Sequence, residues 1–419
     1  MNKRNKSSLT KRIMMIIVFS LGLFGAFYVF IFNTSSKLSD HITMQTTPQP
    51  TEQFITTPPP TPTPVVPSAT PKLQYTEAVW IGAGDIMSHK PQLPGSYIAA
   101  EQRYNFDPIF ANVAPILKTG DFVMANLETP IAGKDVGYSG YPLFNAPDEL
   151  AEALKHAGFN ILSTANNHSL DQGEQGLLQT MKTLDKLDVH YVGTALSDEM
   201  TKKQVIVEKN NITMGLLAYT YGTNGIAIPA GKPYLVNLID EQKIKSDITQ
   251  LKDAGVDIIT VALHFGIEYD PIPSEEQKQL ARKLVDAGAD IIAGSHPHVI
   301  QPYEVIETFT SAGKKKKALI IYSLGNFISN QRGDTKDYGV LYKVNLKKEL
   351  TSNFTELTDI TAIPTWVHRY KPDQYYRYRI LPVEQVLQQQ QDPLLAPNDY
   401  KQLKSDFAML KTRLESMKQ

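Results

Sequence analysis

Cysteine is absent from the 419-residue chain, so disulfide bonds, thiolate metal ligands and cysteine nucleophiles are all excluded. A strong charge of either sign is absent too: 42 basic and 43 acidic residues give a formal net charge of −1, which does not indicate nucleic acid binding. No GxxxxGK(S/T) phosphate loop occurs, so ATP hydrolysis of the P-loop kind is not supported. Histidine, carboxylate and amide side chains remain as the carriers of any chemistry.

The N-terminus has the pattern of a membrane anchor. Residues 13–32 contain no charge and no proline, and as a helix they would span about 30 Å, the thickness of a bilayer core. Five basic residues precede this run: Lys3, Arg4, Lys6, Lys11 and Arg12. The positive-inside rule therefore predicts a cytoplasmic segment over 1–12, a signal anchor over 13–32 and an extracellular remainder. A cleaved signal peptide is the alternative, but no small-x-small cleavage pattern follows.

Residues 33–75 are predicted to be an extracellular linker. Nine of the 27 prolines lie between residues 46 and 72, interleaved with threonine. Such a composition cannot build a core and favours extended polyproline II, at about 3.1 Å per residue. The linker would hold the folded domain away from the membrane.

From residue 76 to 395 the sequence predicts one α/β domain. One unit occurs three times, over 154–168, 251–264 and 284–298: a helix that ends on glycine, then a short apolar run that ends in histidine. Apolar runs of this kind are typical of buried parallel strands. After residue 339 the segments are rich in β-formers and are expected to be antiparallel strands of a second sheet, and residues 396–419 are expected to form an amphipathic helix.

Polar side chains follow six of the predicted strands. Ligands of open α/β sheets bind at the carboxyl ends of the strands, so we expect these side chains to surround one crevice. They are Asp85, Glu128, Asn167, His168, His264, His296, His298 and Asn326. Neutral imidazole, carboxylate and amide oxygen suit manganese, zinc or iron, whereas a purely hydrogen-bonded polar cluster is the alternative. His168 could protonate a leaving group.

Six ordered motifs resemble the CapA (PgsA-like) poly-γ-glutamate capsule synthesis family. They are GDIM at 84–87, NLETP at 126–130, ANNHSLDQG at 165–173, HFGIEY at 264–269, GSHPHVIQPYE at 294–304 and YSLGNF at 322–327. This family is related to calcineurin-like metallophosphoesterases. The resemblance therefore implies a four-layer α/β/β/α sandwich, here preceded by the transmembrane helix and the linker.

The resemblance also implies roles for individual residues. The implied ligands of a divalent ion (Mn, Zn or Fe) are Asp85, Glu128, Asn167, His264, His296 and His298, with His89 as a further candidate. The implied catalytic residues are His168 and Asp171, and the implied substrate-binding residues are Asn126, Glu268 and Asn326. Phosphoesterases of this kind carry Asp-x-His in the first motif, whereas Met87 stands third here, which favours one metal over two.

The function implied is that of a membrane-anchored extracellular protein of capsule biosynthesis, which assists assembly, export or release of poly-γ-glutamate. The expected partners are this anionic polymer, membrane-embedded capsule synthetase subunits and the membrane itself through the N-terminal helix, with no role for nucleic acid. Two alternatives stay open. One is a free-standing metal-dependent hydrolase of phosphoester or amide bonds in the cell envelope, and the other is a scaffold with a vestigial site.

Overall fold

Residues 74–310 and 313–417 are described by a computed structural model of the chain. The predicted cytoplasmic segment, the signal anchor and nearly all of the Pro/Thr-rich linker lie outside the described residues. In the two described ranges, no helix combines the length and the apolar character needed to cross a membrane.

Sixteen strands occur in the described residues. In chain order they are β1 (Tyr75–Ile86), β2 (Tyr97–Ile98), β3 (Arg103–Tyr104), β4 (Phe122–Leu127), β5 (Ile161–Ser163), β6 (His190–Val192), β7 (Val205–Lys209), β8 (Ile212–Thr220), β9 (Ile258–His264), β10 (Ile291–Ser295), β11 (Tyr303–Phe309), β12 (Lys315–Ile321), β13 (Asn326–Ile328), β14 (Tyr338–Glu349), β15 (Phe354–Tyr370) and β16 (Arg377–Pro382).

Two mixed sheets contain nearly all of these strands. The first has the order β16-β15-β14-β1-β4-β5-β6, with β13 also paired to β1, and the second has the order β11-β12-β10-β9-β8-β7. Parallel strands form one side of the first sheet, β1, β4, β5 and β6, and the centre of the second, β8, β9, β10 and β12. The mixed α/β architecture predicted from the sequence is therefore confirmed.

Ten α-helices connect or flank the strands. They are α1 (Leu93–Ser96), α2 (Asp107–Phe110), α3 (Ala114–Leu117), α4 (Asp148–Ala157), α5 (Gly173–Lys186), α6 (Asp198–Thr201), α7 (Glu241–Asp253), α8 (Glu275–Ala287), α9 (Val383–Gln389) and α10 (Pro397–Glu415) among the described residues. Helices α4 and α8 end at Gly158 and Gly288, whose φ angles of 119° and 124° suit glycine alone. Gly158 and Gly288 are therefore two of the helix-ending glycines that the repeated unit of the sequence predicts.

Strand β9, near the middle of the second sheet, is buried on both faces because each face packs into a different core. Ile258 and Ala262 face a core that the two sheets share, whereas Ile259 and Leu263 face a second core closed by α7 and α8. Full burial of each large aliphatic side chain stabilises the fold by about 1.5–3 kcal/mol. Because neither face of β9 meets water, its apolar run is continuous rather than alternating.

Two expectations about strands are wrong. Strands β14, β15 and β16 are antiparallel, as predicted, but they extend the first sheet instead of a second one, because β14 pairs with β1 from Tyr75 to Gly82. Asn326 does not end a strand but begins β13, parallel to β1 and opposite Asp85. The chain leaves the second sheet after Ile321 and turns at Gly325, where φ is 66°.

The last helix is fastened to the rest of the domain by apolar and polar contacts. Leu403 and Leu410 of α10 are buried in the shared core. Arg413 Nη1 donates hydrogen bonds to the carbonyl of Ile300 at 3.4 Å and to Thr335 Oγ1 at 3.0 Å. Helix α10 thus holds the loop that follows β10 and the segment that precedes β14.

Candidate metal centre

The carboxyl ends of strands from both sheets meet at one place. Asp85 is the last residue but one of β1 and Glu128 follows β4 in the first sheet, whereas His264 ends β9 and His296 follows β10 in the second. All four side chains are buried. Of these four side chains, the two carboxylates come from the first sheet and the two imidazoles from the second.

Asn126 holds the carboxylates in place. Its Nδ2 lies 2.9 Å from Asp85 Oδ1, 3.2 Å from Glu128 Oε2 and 3.3 Å from His264 Nδ1. Its Oδ1 accepts a hydrogen bond from Asn166 Nδ2 at 3.2 Å. Both ends of this amide are thus engaged within the protein, so its contacts favour a positioning role over the substrate contact expected from the sequence.

His264 is oriented by neighbours on both ring nitrogens. Its Nε2 lies 3.0 Å from Asn167 Oδ1 and 3.5 Å from Glu128 Oε1, while its Nδ1 lies 2.9 Å from Ser295 Oγ. An ion bound at Nε2 would leave Nδ1–H to donate to Ser295, the usual arrangement behind a ligating histidine. The geometry is therefore that of a side chain prepared to bind through Nε2.

The two histidines of the third repeated unit adopt uncommon backbone angles. The φ angles of His296 and His298 are 99° and 58°, in the left-handed region where a non-glycine residue costs about 1–3 kcal/mol. The strain brings His298 Nδ1 to 3.1 Å from Asp85 Oδ2 and His298 Nε2 to 3.6 Å from Glu128 Oε1. Such strain persists only where the surrounding structure imposes it, and it concentrates at functional sites.

Two buried atoms of this cluster have no hydrogen-bond partner among the described residues: Glu128 Oε1 and His296 Nδ1. An unsatisfied buried polar group costs about 1–3 kcal/mol. Glu128 Oε1 lies 3.5 Å and 3.6 Å from the Nε2 atoms of His264 and His298. Ligand atoms arranged tetrahedrally about 2.1 Å from a zinc ion are about 3.4 Å apart, so the spacing fits a shared cation better than hydrogen bonds.

Three overlapping groups of side chains could hold a metal ion. In each, the candidate ligand atoms lie within 4.8 Å of one another. The groups are Glu128–His264–His296, Asp85–Glu128–His298 and Glu268–His296–His298. Imidazole nitrogen and carboxylate oxygen are the donors that zinc, manganese and iron accept, so the residues present fit a divalent ion of this class.

The protonation states favour cation binding. Burial and the neighbouring imidazoles together lower the pKa of His264 well below its usual value and that of His296 to about 3. Burial, together with the nearby Asp85, raises the pKa of Glu128 well above its usual value. Neutral imidazole is the form that binds metal, and a cation between these groups would favour ionised Glu128 again.

His168 and Asp171 form a buried pair beside the cluster. Asp171 Oδ2 lies 2.7 Å from His168 Nδ1 and also accepts a hydrogen bond from the Phe144 amide at 2.8 Å. The Phe144 and His168 rings pack nearly perpendicular to each other, with centroids 4.7 Å apart. Asp171 thereby fixes the proton on Nδ1 and leaves Nε2 as the atom that can exchange a proton with a substrate.

His89 lies near the site but outside the three ligand groups. Its Nδ1 accepts a hydrogen bond from the Asn330 amide at 3.2 Å, and its ring packs on Phe144 with centroids 5.1 Å apart. It also precedes the short 3-10 turn Lys90–Gln92. These contacts direct His89 toward Asn330 and Phe144, so the structure does not place it with the other candidate ligands.

Two residues expected to bind substrate lie in different settings. Glu268 is exposed at the mouth of the site and can share an ion with His296 and His298. Asn326 is buried: its Nδ2 donates to Gln331 Oε1 at 2.8 Å and to the Lys336 carbonyl at 2.7 Å. Glu268 is therefore accessible to a substrate, whereas Asn326 secures the segment next to Asp85.

Two aromatic residues at the mouth escaped the sequence analysis. The Tyr221 ring lies 4.6 Å from the His296 ring, and Tyr269 lies 5.9 Å from His298, measured between centroids. Tyr221 comes directly after Thr220, the last residue of β8, so the same strand-end rule could have found it. It was missed because β8 ends without a histidine or a carboxylate.

A family model described as "Bacterial capsule synthesis protein PGA_cap" matches residues 80–331. The chain belongs to this family. The resemblance drawn from the six motifs is thus confirmed, and every candidate ligand of the site lies within the matched residues.

Relatives of this PGA_cap chain include two curated Bacillus proteins. The capsule biosynthesis protein CapA of Bacillus anthracis is 33% identical over 276 residues, covering 62% of this chain and 62% of that protein. The PGA biosynthesis protein CapA of Bacillus subtilis strain 168 is 33% identical over 315 residues, covering 70% of this chain and 74% of that protein. The chain thus spans slightly less than two thirds of the first relative and almost three quarters of the second.

Solved structures that align with the PGA_cap chain are distant. The calcineurin-like phosphoesterase YfkN from Bacillus subtilis aligns with a TM-score of 0.40 and 15% identity, covering 79% of this chain and 100% of that chain. The NAD nucleotidase of Haemophilus influenzae aligns with a TM-score of 0.43 and 15% identity, covering 81% and 68%.

Proposed function

We propose that this protein acts in the biosynthesis of a poly-γ-glutamate capsule on the outer side of the cell membrane. Residues 13–32 would anchor it beside membrane-embedded synthetase subunits, and the linker would carry the domain outward. Its task would be metal-dependent bond cleavage during assembly, export or release of the polymer. Membership of the PGA_cap family and the names of the two Bacillus relatives support the pathway.

The framework of the proposal is the four-layer α/β/β/α sandwich of the calcineurin-like metallophosphoesterases. One core between the two sheets and another between the second sheet and helices α7 and α8 support it. Such a framework gathers residues distant in sequence at the carboxyl ends of its strands.

The observation that carries the proposal is the convergence of neutral imidazoles and carboxylates around two unsatisfied buried atoms. The residues that would hold a divalent ion are Asp85, Glu128, Asn167, His264, His296 and His298. When bound, such an ion supplies Lewis-acid polarisation of a carbonyl or phosphoryl oxygen and activates water as a nucleophile.

The remaining chemistry belongs to side chains of the protein. Asp171 keeps the His168 imidazole in one tautomer, so that Nε2 can deliver a proton to the leaving group. Tyr221 stacks with His264 and packs at a tilt against His296, with ring centroids 6.3 Å and 4.6 Å away, and so adds an aromatic wall beside them. Glu268, exposed at the mouth, would meet the substrate first.

The test combines metal analysis with hydrolysis assays on the full-length protein. Poly-γ-glutamate and a generic phosphodiester are incubated with the wild-type chain and with His264→Ala, with and without manganese or zinc. We expect metal-dependent cleavage of the polymer that falls by about a hundredfold or more in the variant. The matched control is His190→Ala, an exposed histidine at the start of β6, which should retain full activity. Substoichiometric metal together with unchanged activity in His264→Ala would overturn the proposal.

The same assay separates two alternatives. Cleavage of the phosphodiester without cleavage of the polymer would favour a free-standing envelope hydrolase, which the same ligand set supports. A scaffold with a vestigial site is favoured by Met87, which stands where related phosphoesterases have a histidine and which is buried. It predicts no cleavage of either substrate.

A further inference from the structure

The turn between β15 and β16 concentrates cationic and aromatic side chains. Residues 366–379 include four basic residues and one acidic residue, together with four tyrosines. Two of the cations are neutralised nearby: Arg377 pairs with Asp373 at 3.0 Å, and Arg379 pairs with Asp392 at 2.7 Å. The other two, Arg369 and Lys371, have no carboxylate partner among the described residues.

Arg369 and Lys371 share one aromatic platform. The Arg369 guanidinium carbon lies 4.5 Å from the centre of the Tyr376 ring, and Lys371 Nζ lies 5.5 Å from it. Lys371 and Tyr376 are exposed and Arg369 is partly exposed. The ring thus holds two positive charges close together, each stabilised by a cation–π contact, and both face solvent.

This platform is joined to the candidate metal centre through Asn330. Its Oδ1 accepts hydrogen bonds from Arg369 Nη1 at 3.1 Å and from Tyr378 Oη at 2.6 Å. Its backbone amide donates to His89 Nδ1 at 3.2 Å. His89 in turn packs on Phe144, against which His168 packs on another side.

A second connection runs along the same segment. Gln331 Nε2 donates to Tyr269 Oη at 3.4 Å, and Lys336 Nζ lies 5.0 Å from the centre of the Tyr269 ring. Tyr269 packs beside His298. Residues 330–336 therefore connect the histidines with the platform, and Lys336 within this segment pairs with Asp334 at 3.4 Å.

We propose that Arg369, Lys371 and Tyr376 form a subsite for an extended polycarboxylate, which runs along residues 330–336 from the metal centre. The planar guanidinium of Arg369 matches a carboxylate in a bidentate manner, and Lys371 supplies a second charge. A polymer with a carboxylate on each repeat would be held here while one of its bonds lies at the histidines. The choice of polymer rests on the proposed function, but the binding itself does not require the reaction.

The experiment measures binding of fluorescently labelled poly-γ-glutamate to the full-length chain by anisotropy at low salt. The test variant is the double substitution Arg369→Gln/Lys371→Gln. The control, Lys401→Gln/Lys404→Gln, removes the same charge from two exposed positions of α10 that have no ion pair among the described residues. We expect about tenfold weaker binding in the test variant and no change in the control. Thermal unfolding of each variant checks that the fold is retained.

Three results would overturn the subsite: no binding to the wild-type chain, equal loss in both double variants, or equal binding of polyphosphate or neutral dextran. Repeating the measurement in His264→Ala without metal keeps this test separate from the proposed reaction. Binding that persists there, with no cleavage by the wild-type chain, would support the subsite and contradict the reaction. Metal-dependent cleavage together with unchanged binding in the test variant would support the reaction and contradict the subsite.

Discussion

The amino and carboxyl ends of the strands in the second sheet, here called its amino and carboxyl edges, both bury ionisable side chains. Only at the amino edge do the polar atoms of these side chains all have hydrogen-bond or ion-pair partners. At the amino edge, Asp257 precedes β9 and accepts hydrogen bonds from the Thr213 amide and from Lys348 Nζ, each at 2.8 Å. Asp290 precedes β10 and pairs with Lys316. Each buried carboxylate there has a cation and further hydrogen-bond donors.

At the carboxyl edge of the same strands, where Glu128 of the first sheet meets them, the situation is reversed. Glu128 Oε1 and His296 Nδ1 are buried without partners, and His296 and His298 are held at positive φ. Burial is similar at both edges, so burial alone does not distinguish a functional site from a structural one. The difference lies in whether the buried polar atoms are satisfied, because evolution retains unsatisfied groups where a ligand completes them.

The largest effect is expected at the satisfied edge. Asp257→Ala would leave Lys348 largely buried without a counter-ion, since their side chains are only 3% and 12% exposed. Breaking a buried pair costs about 3 kcal/mol of the free energy of unfolding, measurable by urea denaturation. The control Asp253→Ala, at an exposed carboxylate of α7, should change stability little. An equal loss of stability in both variants would mean that the ion pair of Asp257 with Lys348 contributes nothing special at the amino edge.

Metal should stabilise the protein through the unsatisfied edge. Zinc or manganese at about a hundred times its dissociation constant should raise the free energy of unfolding by about 2.7 kcal/mol, and a chelator should reverse the gain. The same increment is expected in Asp257→Ala, because the two edges are independent. The metal-induced gain in the free energy of unfolding should be absent from His298→Ala. An undiminished gain in that variant would mean that the ion binds elsewhere.

The hydrogen-bonded pair His168–Asp171 also lies at the carboxyl edge, and we expect it to serve catalysis. Asp171→Asn removes the acceptor that fixes the His168 tautomer, so kcat should fall about thirtyfold, or about 2 kcal/mol, with KM little changed. The pH profile of kcat should shift as well. Asp198→Asn, at an exposed carboxylate, is the control. An equal change in KM and none in the pH profile would indicate a merely structural pair.

The smallest effect is a gain in stability. Glu128→Gln replaces a carboxyl group whose pKa is raised by burial and by Asp85 with a neutral amide, so at alkaline pH the metal-free protein should be more stable by about 1 kcal/mol. Thermal unfolding in the presence of a chelator measures this gain, with Glu208→Gln on the exposed side of β7 as the control. A clear loss of stability would mean that Glu128 is satisfied without a cation.

Sequence patterns could predict the strand ends but not the sheets to which they belong. Gly158 and Gly288 mark helix ends through local backbone geometry, and the apolar runs after them identify buried strands. Such signals are local. Which sheet β14 joins depends on pairing with β1, more than 250 residues earlier, and no short-range pattern encodes that choice.

The roles of individual site residues could likewise be predicted only in part from the sequence. His264 and His298 could be singled out because histidine at a strand end is unusual. The engagement of Asn126 with two carboxylates, and the direction of His89 toward Asn330, depend on side-chain orientations that spacing does not determine. Tyr221 was overlooked because tyrosine at a strand end carries no distinctive signal.

The contact of Arg413 with Ile300 and Thr335 has a consequence for the order in which the protein matures. All of the candidate ligands have been synthesised by residue 298, yet the loop behind them is fastened from residue 413. A nascent chain that ends before Pro397 possesses every donor atom and lacks that brace. The loop behind the candidate ligands is therefore braced only after residues 397–415 have been synthesised and have packed against it.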